Sequence, residues 1–311
     1  MFINFPLAGM VYSSIFKILC IDMKNKKYLI IINPLTRKKG QHCLNNLTKI
    51  LNKKDFSYDI YYTETDLQIT QQTISGKLSD YSDVISIGGD GTLNMLSNIL
   101  AYKNIPLGII PCGTGNDFSR HIYDKKDDIV ATVTGGNVIE ADLGCCNERY
   151  FINVLGIGYD AMIAENTKND NKILFRSFFY LWNAVKYLPF YKEKGVHINA
   201  DNFNKNEATF MVAFGNGSFF GSGMNITPKA DISDGQLDCC WVGKLNFFRK
   251  CYCLINIFSG KHLLAKNIEY VQGKQFNVLS EHHPIEADGE FIGYTPAIIR
   301  TEEKALLLKV P

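Results

Sequence analysis

Asp83-Val84-Ile85-Ser86-Ile87-Gly88-Gly89-Asp90-Gly91-Thr92-Leu93-Asn94 is the stretch that decides the fold of this chain. A buried β-branched run ends in a glycine-rich turn, and a helix pattern follows over about 92–102. In an open α/β sheet, ligands bind just beyond the carboxyl end of such a strand. Three glycines let the backbone approach a phosphate closely, and the helix N-terminus supplies free N–H donors. Asp90 puts a carboxylate beside them, which makes sense only if a cation offsets it, so Mg²⁺ is implied. A lone Gly-Gly-x-Gly reads equally well as a turn with an Asp cap. The full string Gly88-Gly89-Asp90-Gly91-Thr92-Leu93-Asn94 is far more specific.

Outward from this stretch, strand and helix signals alternate. Residues 28–32 form an apolar run ending at Asn33-Pro34, and Cys43, Leu44, Leu47, Ile50 and Leu51 follow at helical spacing. Strand patterns at 58–62 and 107–110 and a polar helix over 66–78 complete a series of βαβ units with a parallel sheet. After about residue 138 strand-like runs dominate, interrupted by helical patterns near 174–188 and 246–258. That texture predicts an antiparallel sandwich or barrel. The expected architecture is an α/β domain over 23–138 and a mostly β domain over 139–297. Residues 1–22 stand apart as an N-terminal extension, with Met23 a candidate start.

The chain has 311 residues, enough to bury about three-quarters of its unfolded surface without disulfides. Its 33 Lys and Arg against 31 Asp and Glu argue against a general nucleic-acid binder. Nine cysteines cannot all pair, and no Cys-x-x-Cys occurs, so free thiols in a reducing cytosol are expected, many of them in the core. No segment reads as the roughly 20 clean apolar residues of a membrane span. The N-terminal apolar stretch lacks the preceding basic residues of a signal peptide.

Three further motifs bear on chemistry. Pro111-Cys112-Gly113-Thr114-Gly115-Asn116-Asp117 follows the next strand, so Thr114 can offer its hydroxyl and N–H to a phosphate while Asp117 approaches Asp90. Asn33-Pro34-Leu35-Thr36-Arg37-Lys38-Lys39-Gly40 is either a nucleotide-binding loop or a solvated basic one. Glu286-Ala287-Asp288-Gly289-Glu290 suits a tight turn, and by itself reads as a hairpin. Gly156-x-Gly158-x-x-Ala161 mimics a dinucleotide fingerprint but lies in the β-rich half. His282-His283 reads as solvent-facing. The aromatic series Phe175, Phe178, Phe179, Trp182, Tyr187 and Phe190 fits an acyl groove, a bilayer interface or a core helix face, and core is the expectation.

Taken together, Asn-Pro-x-Thr, Gly-Gly-Asp-Gly-Thr-Leu-Asn, Gly-Thr-Gly-Asn-Asp-Phe, Asn153-Val154-Leu155-Gly156-Ile157-Gly158-Tyr159-Asp160-Ala161 and Asp-Gly-Glu resemble the diacylglycerol kinase catalytic-domain family, in its soluble bacterial lipid-kinase branch. Their order and approximate spacing match from about Lys27 to the C-terminus. The resemblance implies an N-terminal domain similar to NAD kinases and phosphofructokinases, a C-terminal β-sandwich, and a return of about 298–311 to the first domain. It implies nucleotide contacts from Asn33, Pro34, Leu35, Thr36, Arg37, Thr63, Gly88, Gly89, Asp90, Gly91, Thr92, Leu93, Asn94 and Thr114, with Asp90 and Asp117 near Mg²⁺. Asp288 and Glu290 become the catalytic end of the second domain, with Glu290 the general base. Pro228-Lys229-Ala230-Asp231-Ile232-Ser233-Asp234-Gly235-Gln236 resembles a structural Mg²⁺ site, with Asp234 as ligand and Asp231 and Gln236 beside it. Family members more often carry glycine or a small residue where Arg37 stands.

The function this implies is ATP- and Mg²⁺-dependent phosphorylation of a lipid hydroxyl, first of all diacylglycerol to phosphatidate, by a cytoplasmic protein working at the membrane surface. The absence of G-x-x-x-x-G-K-[ST] excludes P-loop chemistry. The alternatives are an NAD kinase, which shares Gly-Gly-Asp-Gly, and a non-catalytic nucleotide- or lipid-binding regulator.

Overall fold

The computed structural model describes residues 26–64, 67–167 and 176–311; the expected extension 1–22 lies outside them. The first half contains β1 (Lys27–Ile32), α1 (Arg37–Lys53), β2 (Ser57–Tyr62), α2 (Leu67–Ser75), β3 (Asp83–Gly88), α3 (Asp90–Leu100), β4 (Leu107–Pro111), α4 (Asp117–Ile122) and α5 (Ile129–Gly135). The strands run parallel in the order β2-β1-β3-β4. Alternation along β1 sends Tyr28, Ile30 and Ile32 to one face and Leu29 and Ile31 to the other. Leu44, Leu47 and Leu51 of α1 cover the first face, and Leu93, Leu96 and Leu100 of α3 cover the second. With both faces covered, β3 is buried throughout, which explains its unbroken apolar run. The strand order reverses between β1 and β3, so Asn33 and Gly88 open onto the crevice of a topological switch point.

The second half contains β5 (Asn137–Cys146), β6 (Arg149–Phe151), β7 (Val154–Gly158), α6 (Tyr159–Thr167), α7 (Arg176–Tyr187), β8 (Lys194–Ala200), β9 (Phe203–Gly215), β10 (Phe219–Phe220), β11 (Met224–Asn225), β12 (Leu237–Gly243), α8 (Phe247–Asn256), β13 (Ile268–Gly273), β14 (Gln275–Val278), β15 (Pro284–Ala287), β16 (Glu290–Tyr294) and β17 (Ala297–Val310). Its main path is β16-β15-β7-β9-β8-β14-β17, antiparallel at every step. Val212 and Phe214 of β9 join Cys239 and Trp241 of β12 in one core, while Met211, Ala213, Cys240 and Val242 face another. The adjacent Cys239 and Cys240 are therefore free thiols of two different cores. β7 has antiparallel neighbours on both sides, so the glycines at 156 and 158 do not belong to a βαβ unit.

β17 joins the halves. Its first part pairs with β14 and β5; after a register break between Glu302 and Leu306 it pairs with β5 and, through Leu308 beside Leu107, with β4. Near its end Lys309 forms a 2.5 Å ion pair with Asp83, both almost fully buried, and donates to Val133 O at 2.8 Å. Without Lys309, Asp83 keeps only Lys26, at 3.5 Å, and the Ser82 hydroxyl against its buried charge. Lys309→Ala is expected to cost about 3–5 kcal/mol, read as a lowered denaturation midpoint.

Two expectations fail here. Trp182 and Phe190 are 59% and 78% exposed, so that aromatic series is not wholly a core face; Phe175 and the side chains of Phe178 and Phe179 lie outside what the structure describes. His283 is buried, its N–H donating to Thr295 Oγ1 at 3.0 Å, and only His282 faces solvent.

Candidate active site

The ends of β1, β3 and β4 converge. Asn33 accepts from Leu35 N at 2.9 Å and donates through Nδ2 to Thr92 Oγ1 at 3.2 Å, joining the first loop to the glycine turn. Thr36 Oγ1 donates to Asn33 O at 2.6 Å, and buried Thr63 closes the β2 side by donating from its N–H to Ile32 O at 2.9 Å. Pro34 and Leu35 are exposed at the mouth. Gly89 and Gly113 meet backbone to backbone: a Cβ on Gly89 would lie 2.9 Å from Gly113 Cα, so a side chain at either position would push the two loops apart. Asn116 fixes the second loop by accepting from Gly113 N at 2.8 Å and donating to Gly113 O at 2.9 Å, which leaves Thr114 exposed on its crest. Nothing lies within 4 Å of where a Gly91 Cβ would be, so that side of the loop is open. Leu93 points into the core instead.

Arg37 has φ +51°, in the left-handed region where glycine is favoured. The departure at this position thus has a backbone cost. Because Arg37 is exposed, Arg37→Gly is expected to raise stability by about 1 kcal/mol, seen as a higher melting temperature.

Asp90 and Asp117 face each other over Gly115, where a Cβ would lie 2.9 Å from Asp90 Oδ2 and 3.5 Å from Asp117 Oδ2. Burial raises the Asp90 pKa, and burial together with the Asp90 charge pushes Asp117 up to about 6. Asp117 Oδ2 accepts from Ser222 N at 2.7 Å; its buried Oδ1 has no hydrogen bond, with Arg120 Nε 3.7 Å from it. Two close carboxylates with an unsatisfied oxygen are a donor set that fits a hard divalent cation.

The structure does not gather Asp231, Asp234 and Gln236 into an evident metal site. Asp231 Oδ1 accepts from Ser233 N and Oγ at 2.9 and 2.7 Å, and Asp234 Oδ1 accepts from Gln236 N at 2.9 Å, as turn-forming aspartates do. Among the described residues, no group of three or more His, Cys, Asp and Glu is placed to hold a metal ion.

The β15–β16 turn reaches the glycine loop from the other half. Asp288 accepts from the N–H groups of Ile152, Asn153 and Val154 at 2.9, 2.9 and 3.1 Å and from Asn94 Nδ2 at 2.6 Å. Burial pushes its pKa up to about 6 against the pull of those donors. Asn94, the last residue of the glycine string, is thus bound to the second domain. Glu290, two residues on, is part-exposed and pairs with Arg149 Nη2 at 2.6 Å. Arg149 also lines a cavity of about 330 Å³ with Ile285, Ile292 and Tyr294. A larger cavity of about 530 Å³, around Lys205 and Trp241, includes none of these residues.

Behind the turn, Asp160 and Glu286 crowd the Cβ-less face of Gly156, whose Cβ would collide with Asp160 Oδ2 and lie 3.0 Å from Glu286 Oε1. Burial pushes Asp160 up to about 7; burial and the neighbouring Asp160 charge raise Glu286. A carboxyl whose folded pKa exceeds its unfolded value binds more protons in the folded state. Its contribution to stability is therefore present at low pH and lost as pH rises through about 7. Asp160→Asn should flatten that loss, adding on the order of 2–4 kcal/mol at pH 8 and little near pH 4. Urea denaturation midpoints at the two pH values check this.

Sequence reasoning missed Arg149 and Asp142. Buried Asp142 accepts from Gly235 N and Lys304 N, both at 2.7 Å, tying the Asp-Gly turn to the break in β17. An acid inside the apolar run Ala141-Asp142-Leu143 was the available signal. Nothing local marks Arg149.

Comparison with known proteins supplies the class. The diacylglycerol kinase catalytic domain model matches residues 27–146, and the YegS C-terminal NAD kinase beta sandwich-like domain model matches 153–310. A diacylglycerol kinase of Staphylococcus saprophyticus is 30% identical over 279 residues, covering 87% of this chain and 91% of its own. One from Bacillus subtilis is 28% identical over 284 residues, covering 87% and 92%. A crystal structure of a Bacillus anthracis diacylglycerol kinase superposes with a TM-score of 0.69 at 24% identity, covering 93% of this chain and 98% of that one. These matches define a two-domain lipid kinase. The chain belongs to the diacylglycerol kinase catalytic-domain family, in its bacterial branch.

Proposed function

We propose that the chain transfers the γ-phosphoryl group of ATP to the hydroxyl of diacylglycerol, giving phosphatidate, with Mg²⁺ bound near Asp90 and Asp117. The observation that carries this reading is the Asn94–Asp288 hydrogen bond, which sets the Glu290 turn of one half at the glycine loop of the other. Phosphoryl transfer depends on positioning and charge stabilisation more than on covalent help from the protein. In this reading the N–H groups at the start of α3 and the open side of Gly91 receive the phosphates, with Asn33, Thr63, Thr92 and Thr114 around them. Bound Mg²⁺ supplies positive charge against the phosphates. Asp288 positions the turn, and Glu290, paired with Arg149, takes the proton of the attacking hydroxyl. The relatives named above are diacylglycerol kinases, which supports the choice of acceptor. The remaining site assignments, Asp231, Asp234 and Gln236 around a structural Mg²⁺, are proposed on the family resemblance. ADP release by the purified chain with Mg²⁺ should require a diacylglycerol dispersion and stop on adding EDTA. Equal ADP release without lipid would refute the reading.

A further inference from the structure

Helix α8 is apolar on both sides. Its inward face packs Cys251, Cys253 and Leu254 against a core and holds one cation: Lys250 is buried, pairs with Glu193 at 2.8 Å and donates to Tyr191 O at 3.2 Å. Its outward face carries an apolar stripe beside Arg249. Phe248, Tyr252 and Ile255 follow one stripe at i, i+4 and i+7, and are 82%, 43% and 75% exposed. Leu264, just beyond the helix, is 78% exposed. The Lys250 contact also brings the chain beside Tyr191 to this helix, and its neighbour Phe190 is exposed as well. Scattered exposed apolar residues need no explanation, but three on one stripe of one helix point to an interaction surface.

The charges say what covers it. Between residues 244 and 268 the sequence holds Lys244, Arg249, Lys250, Lys261 and Lys266 and no Asp or Glu. Lys250 is taken by Glu193, and Lys244 shares a cavity with Glu207 and Glu269. That leaves Arg249, Lys261 and Lys266 as the exposed cations of the segment that form no ion pair among the described residues. An apolar stripe with such cations complements an anionic bilayer: rings and aliphatic groups enter the acyl boundary while Lys and Arg reach the headgroups. A protein partner for such a face would have to bring unpaired carboxylates around an apolar centre, whereas a bilayer of anionic lipid presents that pattern everywhere. The far end of the segment packs toward the site: a Cβ on Gly260 would lie 3.1 Å from Pro228, in the chain that leads from Ser222 at Asp117 to Asp234.

We propose that α8 and the turn after it, through Phe248, Tyr252, Ile255 and Leu264 with Arg249, Lys261 and Lys266, dock this kinase on anionic membrane. The choice of a bilayer over a protein rests on the lipid-kinase reading; the docking itself is read without turnover. Sedimentation with phosphatidylcholine vesicles, with and without phosphatidylglycerol, is the test. Wild type should bind the anionic vesicles and lose them at high salt. Phe248→Asp/Ile255→Asp should bind at least about tenfold more weakly with an unchanged melting temperature, because both side chains already face water. Lys261→Gln/Lys266→Gln should weaken binding only to the anionic vesicles. The Asp double variant should keep its turnover of a short-chain, monodisperse diacylglycerol but lose turnover of vesicle-borne diacylglycerol. Wild type that ignores anionic vesicles, an Asp double variant that binds as wild type does, or a wild-type dimer that this variant dissociates would each overturn the docking proposal. Vesicle binding without phosphorylation of either diacylglycerol would leave docking intact and sink the kinase reading instead.

Discussion

Glu290→Gln is expected to slow single-turnover phosphoryl transfer by about 10²–10⁴-fold, with the ATP dissociation constant nearly unchanged. Glutamine keeps the shape and an acceptor oxygen for Arg149, and it removes the basicity. Asp288 lies two residues away and is the competing base, but its environment differs. Its carboxylate already accepts from three backbone N–H groups and the Asn94 amide, so no free oxygen remains for a substrate proton. Asp288→Asn would turn an amide against some of those donors and should cost about 2–4 kcal/mol of stability as well as activity. The two variants therefore separate by their melting temperatures: Glu290→Gln should melt as wild type does, and Asp288→Asn should melt lower. A near-normal rate in Glu290→Gln, with a collapsed rate in a still-folded Asp288→Asn, would move the base role to Asp288.

Asp90→Asn is expected to reduce turnover by at least about 10²-fold, because the charge that faces the phosphate loop is then half gone. The fold should survive. The Asp90 contact with Phe118 N is long, 3.4 Å, and an amide oxygen can replace it. Removing a buried carboxylate beside Asp117 also removes like-charge repulsion, so the melting temperature without Mg²⁺ should hold or rise. The informative measurement is a Mg²⁺ titration of activity in wild type and variant. Wild-type turnover in Asp90→Asn at saturating Mg²⁺ would remove Asp90 from the mechanism.

What could be read from the sequence was local. The run 83–94 contains its own strand, turn and helix start, so neither the parallel sheet nor the placement of its loop needed distant information. Successive strand-like runs separated by turn residues likewise marked an antiparallel half. What could not be read was pairing across the chain. Asn94 looks like the end of a phosphate loop, and only its contact with Asp288, 194 positions away, shows that it spans the two halves. Arg149 and Glu290 are equally remote. Leu93 sits in the glycine string yet serves the core, because a motif's spelling does not separate contact from packing. Trp182 and Phe190 show a different limit. Helical spacing identifies an apolar face, but it does not say whether protein, water or a membrane lies against it.

The central claim is the identity of the acceptor. The purified chain should be given γ-labelled ATP and Mg²⁺ with a mixed panel of diacylglycerol, ceramide, a sphingoid base, phosphatidylglycerol and an undecaprenyl-type alcohol, and with NAD in the same tube. Label should pass to the organic phase and migrate as phosphatidate. Label recovered only in NADP, or in no product, would contradict the assignment.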